Sequence, residues 1–314
     1  AGDIPRTIQI PGPIRIDARI LPGQNAGILG ARWNPFPVHV TRSGKVVPPQ
    51  LARIEQITEN RLLDRRKLLD TLQNNQTFEN ASSTEFAALQ EQVVRILQKP
   101  SIHKAFDLDR ESDTLRDAYG RDRHGQSTLL GRRLIEAGAR FVTVYWGKEI
   151  QDWGGKWKPM LVNNPWDTHR NHSPLIKDSL IPRADRTLAA LLADMSDRGL
   201  LEDTLVIWMG EFGRTPVSEA GTGRDHNPYG FTAWMAGGGI KGGVAHGATD
   251  EFGFRAVENR VNIHDLHATL LHQMGIDHEQ LTYRFSGRDY RPTQCPGPVL
   301  HAPVPFTPPA PPTN

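Results

Sequence analysis

The chain has 314 residues, 38% of them hydrophobic and 23% charged, enough to bury a substantial core. Lysine and arginine number 37 against 35 aspartate and glutamate, a net charge of +2, which lacks the basic excess of a nucleic-acid binder. A single cysteine, Cys295, excludes an internal disulfide and a cysteine-rich metal cage. No window approaches the ~18 consecutive apolar residues that a membrane span requires. The opening "AGDIPRTIQIPGPIRID" lacks the charged-then-apolar order of an export signal. The first fifty residues, rich in proline and glycine with short runs such as "IRIDARI", predict extended strands and loops.

From Gln50 the texture changes. "QLARIEQITENRLLDRRKLLDTLQNN" spaces its leucines and isoleucines helically and "STEFAALQEQVVRILQK" follows, so a helical hairpin is predicted over residues 50–99. "QSTLLGRRLIEAGARFVTVYW" then predicts a helix, a stop at Gly138 and a strand from Phe141 to Trp146. "PLIKDSLIPRADRTLAALLADMSDRGLLEDTLVIWMG" repeats that order, with a long amphipathic helix and a buried strand from Thr204 to Met209. "GFTAWMAGGG" supplies another short strand and "NIHDLHATLLHQMGI" a further helix. Strands alternating with crossover helices predict an α/β fold with a largely parallel sheet and helices on both faces. Residues 1–291 are expected to form this domain, and the proline-rich residues 292–314 a flexible tail.

Ligands of open α/β sheets sit beyond the carboxyl ends of the strands, where loops converge. Glu211, directly after "TLVIWMG", occupies such a position; it is either a surface glutamate or a ligand, and Gly210 and Gly213 beside it allow close backbone approach. Arg214 can balance its charge or bind an anion. In "NPWDTHRNH", Asp167, His169 and His172 crowd one loop, a carboxylate with imidazoles that suits zinc or a similar divalent ion. In "GRDHNP", Asp225 and His226 follow a Gly-Thr-Gly turn, and Asp225 can ligate or orient His226. His264 and His267 lie one turn apart, but Leu266, Leu270 and Leu271 make that segment an amphipathic helix without the H-E-x-x-H pattern. No G-x-S-x-G elbow and no phosphate-binding G-x-x-x-x-G-K-[ST] is present. Four of the seven tryptophans, Trp146, Trp153, Trp157 and Trp166, fall near these loops, where they can stack on sugar rings or fill the core.

The stretches "LLEDTLVIWMGEFGRTP", "GRDHNPYGFTAWMAGGGIKGG", "GATDEFGFRAVE", "HDLHATLLHQMGIDHEQLTYRFSGRDYR" and "WDTHRNH" closely resemble the DUF1501 family, which is similar to a branch of the alkaline phosphatase and sulfatase superfamily. The resemblance runs from about "ILPGQNAGILGARWNPF" to "RDYR". It implies an alkaline phosphatase-like fold whose sheet edge holds one or two divalent metals that position a phosphate or sulfate ester. Asp167, His169, Glu211 and His226 look like the ligands of zinc or a calcium-like ion, with Asp225 as ligand or orienting group and Arg214 or Arg224 on the anion. Phe212 stands where the superfamily carries an imidazole or amide, which implies one metal position rather than two. The superfamily's opening strand, with its metal-binding Asp and hydroxyl or thiol nucleophile, has no counterpart here. The resemblance therefore implies either the C-terminal portion of a longer member or a member without the covalent step.

Two functions follow: a metal-dependent hydrolase of sulfate or phosphate esters, or a non-catalytic member that binds a metal or a sulfated or phosphorylated glycan. The same resemblance implies an exported protein.

Overall fold

The computed structural model describes residues 4–16, 19–47, 64, 67, 68, 71, 100–146, 166–293 and 297–300. The chain divides into two compact units, Ala1–Trp157 with Arg183–Leu191, and Lys158–Pro182 with Leu192–Asn314. The predicted hairpin over 50–99 lies outside the described residues, apart from Asp64, Lys67, Leu68 and Thr71, which are helical.

In the first unit β1 (Thr7–Ile10) leads into a two-residue hairpin of β2 (Arg15–Ile16) and β3 (Arg19–Ile20). After β4 (Phe36–Pro37) comes a second hairpin, β5 (His39–Val40) with β6 (Val46–Val47). Helices α1 (Pro100–Phe106), α2 (Asp113–Tyr119) and α3 (Arg123–Glu136) precede β7 (Phe141–Val144). The sheet is parallel, in the order β4-β1-β7, with Ile8 opposite Val142 and Ile10 opposite Val144. As the central strand, β1 buries Ile8, Gln9 and Ile10, side chains of both faces.

Asp122 starts α3 by accepting the backbone N–H groups of His124 and Gly125, at 3.0 and 3.1 Å, which satisfies two of the free donors at a helix start. The helix ends ahead of Gly138, whose φ of 101° suits a residue without a side chain. Leu129, Leu130 and Leu134 are buried. Gly131 sets the approach of α3 to the sheet, since a Cβ there would lie 3.2 Å from Val144. At the end of α2, Tyr119 O accepts the Thr187 hydroxyl at 2.8 Å, and Arg186 pairs with Asp122 at 2.9 Å.

The second unit carries α4 (His172–Leu175), a π-helical turn over Ile176–Leu180, and α6 (Leu200–Asp203); between them α5 (Ile181–Asp197) contributes residues to both units. The strands are β8 (Val206–Trp208), β9 (Gly213–Arg214), β10 (His226–Asn227), β11 (Trp234–Ala236), β12 (Ala248–Thr249) and β13 (Ala256–Glu258). Helix α7 (Ile263–Gln273) and the hairpin β14 (Tyr283–Phe285) with β15 (Arg288–Tyr290) follow. Asn262 and Asp265 form a reciprocal capping box at the start of α7.

The expected sheet needs correction. The described residues form a mixed α/β structure with one three-stranded parallel sheet and six two-stranded antiparallel ones, and these do not display an alkaline phosphatase architecture. Strand β8 is half-buried and pairs antiparallel with β11, Trp208 opposite Trp234. The cause is the connection: no crossover helix follows β8, and a loop through β9 and β10 turns the chain back beside it, which is all an antiparallel pair requires.

Two described residues of the segment expected as a tail, Thr293 and Leu300, make hydrogen bonds to side chains. His278 Nδ1 lies 2.9 Å from Thr293 Oγ1, and the Leu300 N–H donates to Thr269 Oγ1 on α7 at 3.0 Å. Cys295 and residues 301–314 lie outside the described residues.

Candidate metal centre

Two loops of the second unit, about fifty residues apart in sequence, are stitched together by main-chain hydrogen bonds. The Arg224 N–H donates to Thr168 O at 3.2 Å and the His172 N–H to Thr222 O at 2.9 Å. Gly223 makes this approach possible, because a Cβ there would fall 1.9 Å from His169 O. The pairing of β9 with β10 places His226 opposite Arg214, so both side chains share one face beside the 166–172 loop.

On that face three ligand atoms form a nearly equilateral triangle. Asp167 Oδ1 is 2.9 Å from His169 Nε2 and 2.9 Å from His226 Nε2, and the two nitrogens are 3.0 Å apart. Zinc bonds to such atoms are ~2.0–2.1 Å long, so one ion could touch all three. The triangle's edges are a few tenths of an ångström shorter than the ~3.3 Å of a regular zinc tetrahedron. Two imidazoles and a carboxylate are donors that a divalent ion can accept. All three side chains are partly open to solvent, 52% for Asp167, 38% for His169 and 42% for His226, which leaves a fourth position reachable.

Further charges surround the triangle. Arg214 Nη2 donates to Asp167 Oδ1 at 2.6 Å, and a carboxylate oxygen can accept a guanidinium and an ion together. His169 Nδ1 lies 2.7 Å from Glu219 Oε2 and 4.0 Å from Asp225 Oδ1, a second group of ligand atoms that shares His169 with the first. Burial raises the Asp167 carboxyl, but hydrogen bonds from His226 and Arg214 and the charges of Arg214 and His169 outweigh it and hold the group below its usual range. The Glu219 hydrogen bond pushes His169 up, against partial burial and with the help of the Asp167 and Glu219 charges. His172 is shifted down by burial and by Arg224 and Arg214; its Nδ1 meets the buried Thr168 hydroxyl at 2.6 Å.

The structure thus brings together Asp167, His169, His226, Arg214 and Asp225. Glu211 is exposed in the bend before β9 and belongs to neither ligand group. The Arg224 guanidinium donates to Gly223 O at 2.8 Å, and its backbone serves the loop clamp. Phe212 packs its ring 4.1 Å from that of His226, a support for the imidazole. His264 and His267 stand on α7 and join neither group, and His267 is exposed. Trp166 meets Trp208 edge-on at 5.6 Å and Trp146 stacks on His124 at 5.0 Å, whereas Trp153 and Trp157 lie outside the described residues. Sequence reasoning missed Glu219, whose only signal was an acidic residue just ahead of the "AGTG" turn.

No helix among the described residues is long and apolar enough to cross a membrane. Comparisons with curated proteins and with solved structures returned no match. A scan against protein families matches residues 3–304 to one described as "Protein of unknown function (DUF1501)". A match over nearly the whole length makes the chain a member of the DUF1501 family.

Proposed function

We propose that the chain is a metal-dependent, hydrolase-like protein acting on sulfate or phosphate esters. The observation that carries this reading is the triangle of Asp167 Oδ1, His169 Nε2 and His226 Nε2, three donor atoms within 3.0 Å of one another on a solvent-facing surface. A divalent ion bound there supplies Lewis-acid polarisation and charge neutralisation to an ester oxygen. The protein's own groups do the rest. Asp167, His169 and His226 would hold the ion, and Arg214 would neutralise and orient an incoming anion from beside Asp167. Arg224, whose charge is felt by His172, would add to the positive character of the site. Zinc, at one position rather than two, suits the donor set best.

The ester class comes from the resemblance to the alkaline phosphatase and sulfatase superfamily. The same proposal includes a sulfated or phosphorylated small molecule or glycan as partner, an exported location, and a domain over residues 1–291 followed by a tail.

One observation favours a second reading, binding of metal or anionic glycan without turnover. The Thr168 hydroxyl beside the ligands is buried and engaged with His172, and that of Thr215 donates to Val217 O at 3.0 Å. Neither is placed as a nucleophile. Assays of the zinc-loaded chain with p-nitrophenyl phosphate and p-nitrophenyl sulfate separate the two. Turnover that disappears in His226→Ala supports the hydrolase. Zinc binding with no turnover of either ester supports the binding protein, and absence of both removes the metal reading.

A further inference from the structure

We propose that Glu219 is a positioning residue that sets the tautomer of His169, so that Nε2 presents a lone pair to the ligand triangle. This rests on reading that triangle as a metal site. A carboxylate can only accept, so the 2.7 Å contact between Glu219 Oε2 and His169 Nδ1 requires the proton on Nδ1. A neutral imidazole has one ring proton, and Nε2 is then the bare nitrogen. That is the atom 2.9 Å from Asp167 Oδ1 and 3.0 Å from His226 Nε2. Were the proton on Nε2 instead, an N–H would point at the place an ion must occupy. Asp225 cannot do the same work, because its Oδ1 stands 4.0 Å from Nδ1, beyond hydrogen-bond reach.

The backbone is built to deliver this carboxylate. Glu219 and Gly223 exchange main-chain hydrogen bonds of 2.9 and 2.8 Å across a tight turn. The turn is closed by Ala220 and Gly221, both in the left-handed region, at φ 47° and 81°. Through Thr222 and Gly223 the same turn is clamped onto the 168–172 segment that carries His169, so its acid and the imidazole are fixed relative to each other. A left-handed alanine costs conformational energy, and here it aims the side chain just before it at a ligand. Carboxylate partners of this kind tune ligand basicity and orientation, and their loss weakens metal binding by about 10–100-fold.

The test uses the full chain labelled with 15N-histidine, free of metal and in alkaline buffer where imidazoles are neutral. Two-bond 1H–15N correlations read the tautomer of His169 directly, without any metal. The wild type is expected to hold the proton on Nδ1, Glu219→Ala to move it to Nε2, and Glu219→Gln, whose amide oxygen still accepts, to keep it on Nδ1. Zinc affinity by chelator competition is expected to fall about 10–100-fold in Glu219→Ala and far less in Glu219→Gln. A Glu219→Ala chain that keeps the proton on Nδ1 overturns the proposal. A tautomer switch in a chain whose wild type binds no zinc supports the hold of Glu219 on His169 and overturns the metal reading instead.

Discussion

Arg132 and Arg214 are both guanidinium groups paired with carboxylates, and they do opposite things. Arg132, in the first unit, has a side chain with 0% exposure; it bonds Glu111 at 2.9 Å and Glu136 at 2.7 Å, and Arg133 shares Glu111 with it. These charges neutralise one another inside the packing of α3. Arg214, in the second unit, bonds an Asp167 that is 52% exposed and that also faces two imidazoles. There one carboxylate and two imidazole nitrogens lie within 3.0 Å of one another on a solvent-facing surface. Burial with closed pairing suits a structural ion cluster, whereas convergence with exposure is what the proposed ligand site requires.

The largest effect should come from breaking the closed cluster. Glu111→Ala leaves Arg132 buried with one partner fewer and is expected to lower unfolding free energy by about 3 kcal/mol, read by urea denaturation. Zinc binding should be unchanged. Asp167→Ala in metal-free protein should cost under about 1 kcal/mol, as exposed pairs do. The reverse order would erase the distinction between the two regions.

Next in size is the effect of His226→Ala on the ligand site, a loss of zinc affinity of more than about 100-fold with little change in metal-free stability. Isothermal titration calorimetry checks it, and a fall of only a few-fold would remove His226 from the ligand set.

Acid and base titrations sharpen the same contrast. Burial raises Glu111, but its hydrogen bonds to Arg132 and Arg133 prevail and its folded pKa lies below the ordinary value of 4.5. Its contribution is therefore complete above 4.5 and is lost as pH falls through the lower folded value. His169 shifts the other way, above 6.5. In metal-free protein its contribution is complete below 6.5 and is lost as pH rises through the raised value. Metal competes with that proton, so zinc affinity should climb through the interval just above 6.5. Urea midpoints and zinc titrations across pH read both, and pH-independent zinc binding there would contradict the role of His169.

The smallest effect is expected at Ala220→Gly. It relieves a left-handed alanine, φ 47°, and should change stability by less than about 1 kcal/mol in the stabilising direction. A destabilised variant would show that the turn is held by contacts of the Ala220 methyl.

The helices were the most legible feature, because caps and apolar spacing are local. The α3–β7 and α5–β8 successions follow from periodicity and from glycine stops such as Gly138. Strand direction was not legible. The apolar run ending at Trp208 suits either a parallel or an antiparallel neighbour, and the long return loop through β9 and β10 decided between them. At the site, Asp167 and His169 stood out in a histidine-rich loop, and Asp225 and His226 after a Gly-Thr-Gly turn. Glu211 was expected because it follows a strand. The register that sets Arg214 opposite His226 gave the neighbouring place to the arginine, and Glu211 is left in the exposed bend. Glu219 escaped notice because only a left-handed Ala220, invisible to spacing rules, folds it back onto His169.

Equilibrium dialysis of the metal-stripped chain against zinc, beside His226→Ala, tests the central claim most directly. The account predicts one zinc per wild-type chain and none retained by the variant at the same free zinc. A wild type that keeps no zinc, or a variant that keeps as much, would contradict it.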